Sequence, residues 1–147
     1  MDNSALAKVI GKINWGSSVK YLGSFPPFLM IPPPLMNVNT FQILNTTNNS
    51  VGKHWIVLIR ANNGSLFYGD SLGSQSLKQS YPDLHTELGK YKTRKCKPLV
   101  NIKLQQTADM CGLYAIYFAY QCLVRKQTKA VHPSEYELLK FMHKFVK

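Results

Sequence analysis

The chain has 147 residues, 45% of them apolar, with eighteen Lys and Arg against seven Asp and Glu and a formal net charge of +11. That length and apolar content fit a single domain spanning 1–147 that buries a core without disulfide or metal staples, and they exclude a disordered chain. Three cysteines, Cys96, Cys111 and Cys122, show no CxxC pairing, which argues against a disulfide framework or a zinc site and for a reducing compartment.

The pI near 9.7 favours polyanionic partners. Basic residues gather at Lys90, Lys92, Arg94, Lys95 and Lys97, at Arg125, Lys126 and Lys129, and at Lys140, Lys144 and Lys147. A solvated surface accounts for these clusters as well as sequence-independent DNA binding does, and no zinc finger or RNA-recognition motif accompanies them. The opening MDNSALAKVIGKI lacks the apolar core of a signal peptide, and the longest apolar run is too short and too aromatic to span a bilayer. The expectation is a soluble, intracellular, monomeric protein without membrane contact.

In chain order, Asn3 or Ser4 can cap a first helix that places Leu6, Val9, Ile10 and Ile13 on one face, with Gly16 ending it. The stretch from Tyr21 to Pro34, with Pro26-Pro27 and Pro32-Pro33-Pro34, can form neither a regular helix nor a central strand and is expected to wrap the surface. Strand signals follow at Thr40–Asn45 and His54–Arg60, then Asn62-Asn63-Gly64 as a hairpin turn and a strand from Ser65 to Tyr68 that runs into Gly69-Asp70-Ser71. Antiparallel pairing across that turn brings His54, at the start of one strand, beside Asp70, at the end of its partner. Helical spacing from Ser74 to Leu88 tolerates Pro82 only in a first turn, so a break is expected near Ser80. A strand over Pro98–Leu104 and two helices complete the chain, the last starting at His132-Pro133-Ser134 with Leu138, Leu139, Met142 and Val146 on its apolar face. The pattern predicts an α+β fold with a central, mostly antiparallel sheet flanked by helices.

Chemistry concentrates in Gln105–Val124, QQTADMCGLYAIYFAYQCLV, which reads as a polar loop, then Cys-Gly, then a buried helix. A thiol at a helix N-terminus meets unpaired N–H groups and the positive dipole end, which favour the nucleophilic thiolate. Cysteines also fill cores, and Cys122, three turns further along, is expected to do so. A thiol protease needs a nucleophile, an imidazole to carry its proton, a group that orients the imidazole and donors for the oxyanion. Cys111, His54 and Asp70 supply the first three roles; Gln105, with the Cys111 N–H, supplies the fourth, and Gln106 is its rival. His85, His132 and His143 lie in Lys-rich contexts expected to face solvent. Asp109 is placed to contact substrate or loop backbone, and Trp55 either joins the core or covers the imidazole. No metal is expected, and no cofactor is required for the chemistry.

The order His, Asp, Gln, Cys excludes the papain arrangement. Together with Tyr21-Leu22-Gly23 and Phe25-Pro26, His54-Trp55, Phe67 through Gly73, Leu77-Lys78-Gln79, and Gln105 through Tyr114, it resembles the adenovirus protease (adenain) and its wider clan, which includes the ubiquitin-like-protein proteases. The resemblance implies the adenain-like fold and a cysteine endopeptidase that matures viral capsid or virion precursor proteins, with the host nucleus or the virion as its location. It also implies assistance from DNA and from an activating peptide, for which Cys96 stands where adenain bonds its peptide. An aspartate at position 70 and the short Gln105-to-Cys111 spacing follow the wider clan. The chain also ends sooner after the nucleophile helix than adenain does, which points to a compact relative from an adenovirus-like virus or virus-like transposon. The alternatives are a deconjugase of ubiquitin-like modifiers and a non-catalytic, basic nucleic-acid-binding protein.

Overall fold

The computed structural model describes residues 2–48, 54–73, 77–91, 96–100, 103–104, 110–128 and 133–145. A five-stranded sheet in the order β1-β2-β3-β4-β5 comprises β1 (Lys20–Phe25), β2 (Thr40–Asn45), β3 (Trp55–Arg60), β4 (Leu66–Gly69) and β5 (Lys97–Pro98). Helices α1 (Asn3–Gly11), α2 (Leu77–Ser80), α3 (Pro82–Lys90), α4 (Cys111–Leu123) and α5 (Glu135–Phe145) surround it. The expected antiparallel pairing forms the centre, β2 with β3 and β3 with β4, while each edge adds a parallel strand.

The central strands read as continuous apolar runs because both faces of the sheet are covered. Alternation along each strand divides the core in two. Phe41, Ile43, Val57, Ile59 and Phe67 face α1, α4 and α5, whereas Leu44, Ile56, Leu58, Leu66 and Tyr68 face α3 and the proline-rich segment.

β1 is the element that the sequence conceals. Its Gly23 sits at φ +126 within a register shift between Tyr21 and Ser24, and Pro26 follows directly. An edge position tolerates that bulge because only one side of the strand must pair. The prolines that follow wrap the sheet as expected, in single 3₁₀ turns at Pro27–Leu29 and Pro33–Leu35. Gln42, fully buried in β2, holds this strap by donating to the Ile31 carbonyl and accepting from the Ile31 N–H, both at 2.9 Å.

Several boundaries differ from expectation for local reasons. The cap of α1 is Asp2, which accepts from the Ala5 N–H at 2.8 Å, so the helix starts on Asn3; it ends at Gly11, before Gly16. Its face is the expected one, with Leu6, Val9, Ile10 and Ile13 all buried. The break near Ser80 is present as the α2–α3 joint at Tyr81. Among the described residues, the strand expected over Pro98–Leu104 joins the sheet at Lys97–Pro98, and Leu99 and Leu104 donate to the carbonyls of Tyr68 and Ser71. In α5, Ser134 and Glu137 form a reciprocal capping box. Leu138 and Met142 are buried with Phe141, whereas Leu139 points outward at 53% exposure. Val146 lies outside the described residues.

Candidate active site

The hairpin β3–β4 sets the distance between the first two groups. Val57 pairs with Gly69, so His54, just before β3, lies beside Asp70, just after β4. The His54 Nε2 stands 2.6 Å from Asp70 Oδ1. Asp70 is 1% exposed, and its charge is held by further donors: the Leu72 N–H reaches Oδ1 at 3.0 Å and the Tyr81 hydroxyl reaches Oδ2 at 2.7 Å. With Nε2 committed to Asp70, Nδ1 is the ring nitrogen left for another partner.

That partner is Cys111, the first residue of α4, which the apolar face of the helix brings down on β3 and β4. Its thiol is buried and hydrogen-bonds to the His54 side chain, and it accepts from the Trp55 N–H at 3.4 Å. Gly69 permits this approach. A Cβ at that position would lie 2.5 Å from Cδ2 of Phe118, so only glycine lets α4 pack this closely on β4.

Electrostatics follow from the geometry. Burial, the largest single influence on each of the three groups, opposes its charged form. For His54 it is outweighed by the hydrogen bonds and negative charges of Asp70 and Cys111, and the imidazole is pushed up to about 9. For Cys111, His54 and the N–H groups of Trp55 and Gly112 outweigh burial and hold the thiol below its ordinary range. For Asp70, the bonds from His54, Tyr81 and Leu72 do the same. Cys111 and His54 thus each favour the charged form of the other, the imidazolium lowering the thiol and the thiolate raising the imidazole. The raised imidazole stabilises the fold fully below its unfolded value of about 6.5, and that contribution is lost as pH climbs to about 9. The depressed Asp70 contributes above about 3.9 and loses its contribution as pH falls through its lower folded value.

Alkylation of Cys111 by iodoacetamide is therefore expected to stay fast well below the free-thiol pKa of about 8.5. Cys122, pushed up to about 11 by burial, and Cys96, pushed up to about 12, are expected to react far more slowly than Cys111 in the folded chain. Peptide mapping across pH reads this directly, and a Cys111 rate that follows an ordinary thiol titration would contradict the pair.

The structure thus brings His54, Asp70 and Cys111 together, while Gln105, Gln106 and Asp109 lie outside the described residues. Cys122 is core, as its helical phase predicts. Cys96 is half-buried against the cluster on the other sheet face. His85 and His143 are exposed, and His132 lies outside the described residues. Trp55 packs its ring against the core cluster. Tyr81 stacks on the imidazole instead, at 5.8 Å between centroids and 30° between planes. Sequence reasoning missed Tyr81, because nothing in its local pattern marks it beyond the break at Pro82. Among the described residues no cluster of His, Cys, Asp and Glu could hold a metal ion, and no helix is long and apolar enough to cross a membrane.

No protein-family model matches the sequence, and no curated protein matches it. Among solved structures, the chain is similar to the selenomethionine form of the ASFV pS273R protease, at 21% identity and a TM-score of 0.49 over 74% of this chain. A second crystal structure of that protease gives 20% and 0.48. The chain spans less than half the length of those structures, 44% and 43%. Likeness of that degree leaves the chemistry to be argued from the residues themselves.

Proposed function

We propose that this chain is a cysteine endopeptidase. The observation that carries the reading is the contact chain from Asp70 through His54 to a thiol at a helix N-terminus, with 2.6 Å between carboxylate and imidazole. The Cys111 thiolate attacks the scissile carbonyl carbon, forming the C–S bond as the carbonyl electrons move onto oxygen. Gln105 and the Cys111 N–H stabilise that oxyanion. The His54 imidazolium gives its proton to the leaving amine as the C–N bond breaks. Neutral His54 then takes a proton from water, which hydrolyses the thioester and regenerates the thiol pair. Asp70 holds the ring in orientation throughout.

The motif order shared with adenain extends the proposal to viral capsid or virion precursor proteins as substrates. DNA and an activating peptide at Cys96 are its proposed partners, and the net charge of +11 supports the first of them. Reaction with a peptide-vinyl-sulfone probe, read by intact mass and peptide mapping, tests the reading. Single labelling at Cys111, lost in His54→Ala, is expected, and labelling that rises with added DNA would support activation by DNA. Absence of labelling with DNA and with precursor-derived peptides present would overturn the protease, and salt-dependent DNA affinity would then favour the nucleic-acid-binding reading.

A further inference from the structure

We propose that Tyr81 is a positioning residue of the catalytic pair: its hydroxyl fixes the Asp70 carboxylate and its ring backs the His54 imidazole. The proposal rests on the protease reading and deepens it. One side chain touches both partners, through a 2.7 Å hydrogen bond to Asp70 Oδ2 and a near-parallel stack at 5.8 Å on His54. Tyr81 is 8% exposed, so both contacts lie away from competing water.

Its own placement is tightly determined. The Tyr81 N–H donates to the Leu77 carbonyl at 2.7 Å, and its carbonyl accepts from the His85 N–H at 3.0 Å, so the residue is the joint shared by α2 and α3. Pro82, in the first turn of α3, needs no amide partner there and pre-sets the helix. Two residues on, Asp83 Oδ2 accepts from the Asn48 N–H at 2.8 Å. Asn48 belongs to the segment that follows β2, in which the Thr46 N–H donates to the His54 carbonyl at 3.2 Å. The start of α3 is therefore tied to the segment after β2, which in turn bonds the backbone of His54.

The physical role follows from the direction of each bond. Asp70 Oδ1 must stay aimed at Nε2, and a carboxylate held on only one oxygen can turn about its Cβ–Cγ bond. A donor on Oδ2 removes that freedom, and the stacked ring limits tilting of the imidazole out of the carboxylate plane. Among the described residues, the titratable groups facing His54 are Asp70, Cys111 and Tyr81.

The test is the titration of the His54 imidazole by NMR in the full chain, with the resonance assigned by its absence in His54→Ala. Tyr81→Phe keeps the ring and loses the donor; its His54 midpoint is expected to fall by about one pH unit, a tenfold change in proton affinity, with kcat falling about tenfold and KM little changed. Tyr81→Leu, which also loses the stack, is expected to shift the midpoint at least as far. Near-UV circular dichroism reports whether each variant is folded. In the unaltered chain, the same proposal requires a slowly exchanging Tyr81 hydroxyl proton. A His54 midpoint that is unchanged or higher in folded Tyr81→Phe, or the absence of that protected proton, would overturn it. Because the titration needs no substrate, a chain that cleaves nothing but shows the shift would retain Tyr81 in this role and lose the protease reading.

Discussion

Cys111→Ala is expected to lower hydrolysis of a cleavable fluorogenic peptide by at least about 10⁴-fold, because the acyl intermediate forms on its sulfur. His54→Ala is expected to cost nearly as much. Removing the imidazole takes away the proton donor for the leaving amine and also the hydrogen bond and positive charge that hold the thiol below its ordinary range. The two losses should therefore not add: the double variant should be about as slow as either single one, since both act on one step. Asp70→Asn leaves the shape of the site and is expected to have a smaller effect on folding than on turnover. The amide cannot hold the imidazolium as a carboxylate does, and its NH₂ can turn toward Nε2. Any DNA affinity the chain shows, measured against salt, should be unaltered in all of these variants. Proteolysis that survived in Cys111→Ala would show that the site has been misassigned; turnover lost along with DNA affinity would point to unfolding.

What the sequence made legible depended on how local each signal is. The Asn62-Asn63-Gly64 turn fixes the β3–β4 register through short-range chemistry, and Gly64 at φ +86 is the conformation that turn requires. Once that register is fixed, His54 and Asp70 meet by geometry, so their pairing could be read from residues alone. The Cys-Gly start of α4 was visible for the same reason, as an abrupt change from polar loop to apolar run. Contacts that depend on long-range packing were not visible. Tyr81 reaches Asp70 only because the α2–α3 joint falls beside the hairpin end, and Trp55 contributes to the site through its backbone N–H, which sequence does not individualise. β1 was hidden by glycine and proline in its own neighbourhood, and its pairing is parallel to a strand that the chain reaches only after the proline-rich strap. The N-cap of α1 differed by a single residue because Asp2, Asn3 and Ser4 are all competent caps.

The contact between Gly69 and Phe118 supplies a second large expected effect, this time through the fold. Gly69→Ala would place a methyl group 2.5 Å from Cδ2 and 2.9 Å from Cγ of Phe118, whose side chain is fully buried. The ring cannot yield into solvent, so α4 must move off β4, at a cost of about 1–3 kcal/mol by analogy with other overpacked cores. Phe118→Ala removes the ring and leaves a cavity, costing about 3–5 kcal/mol. In the double variant the new methyl occupies space that the ring has vacated, so urea unfolding should give a total smaller than the sum of the two single costs. Activity should separate these cases further. Gly69→Ala displaces the helix that carries Cys111 from the hairpin that carries His54 and Asp70, so it should slow turnover of the molecules that remain folded. Phe118→Ala should lower stability more while leaving the thiol nearer its partner. Fully additive costs, or a Gly69→Ala protein with unaltered Cys111 alkylation and stability, would mean that the close packing of α4 on β4 does not set the geometry of the site.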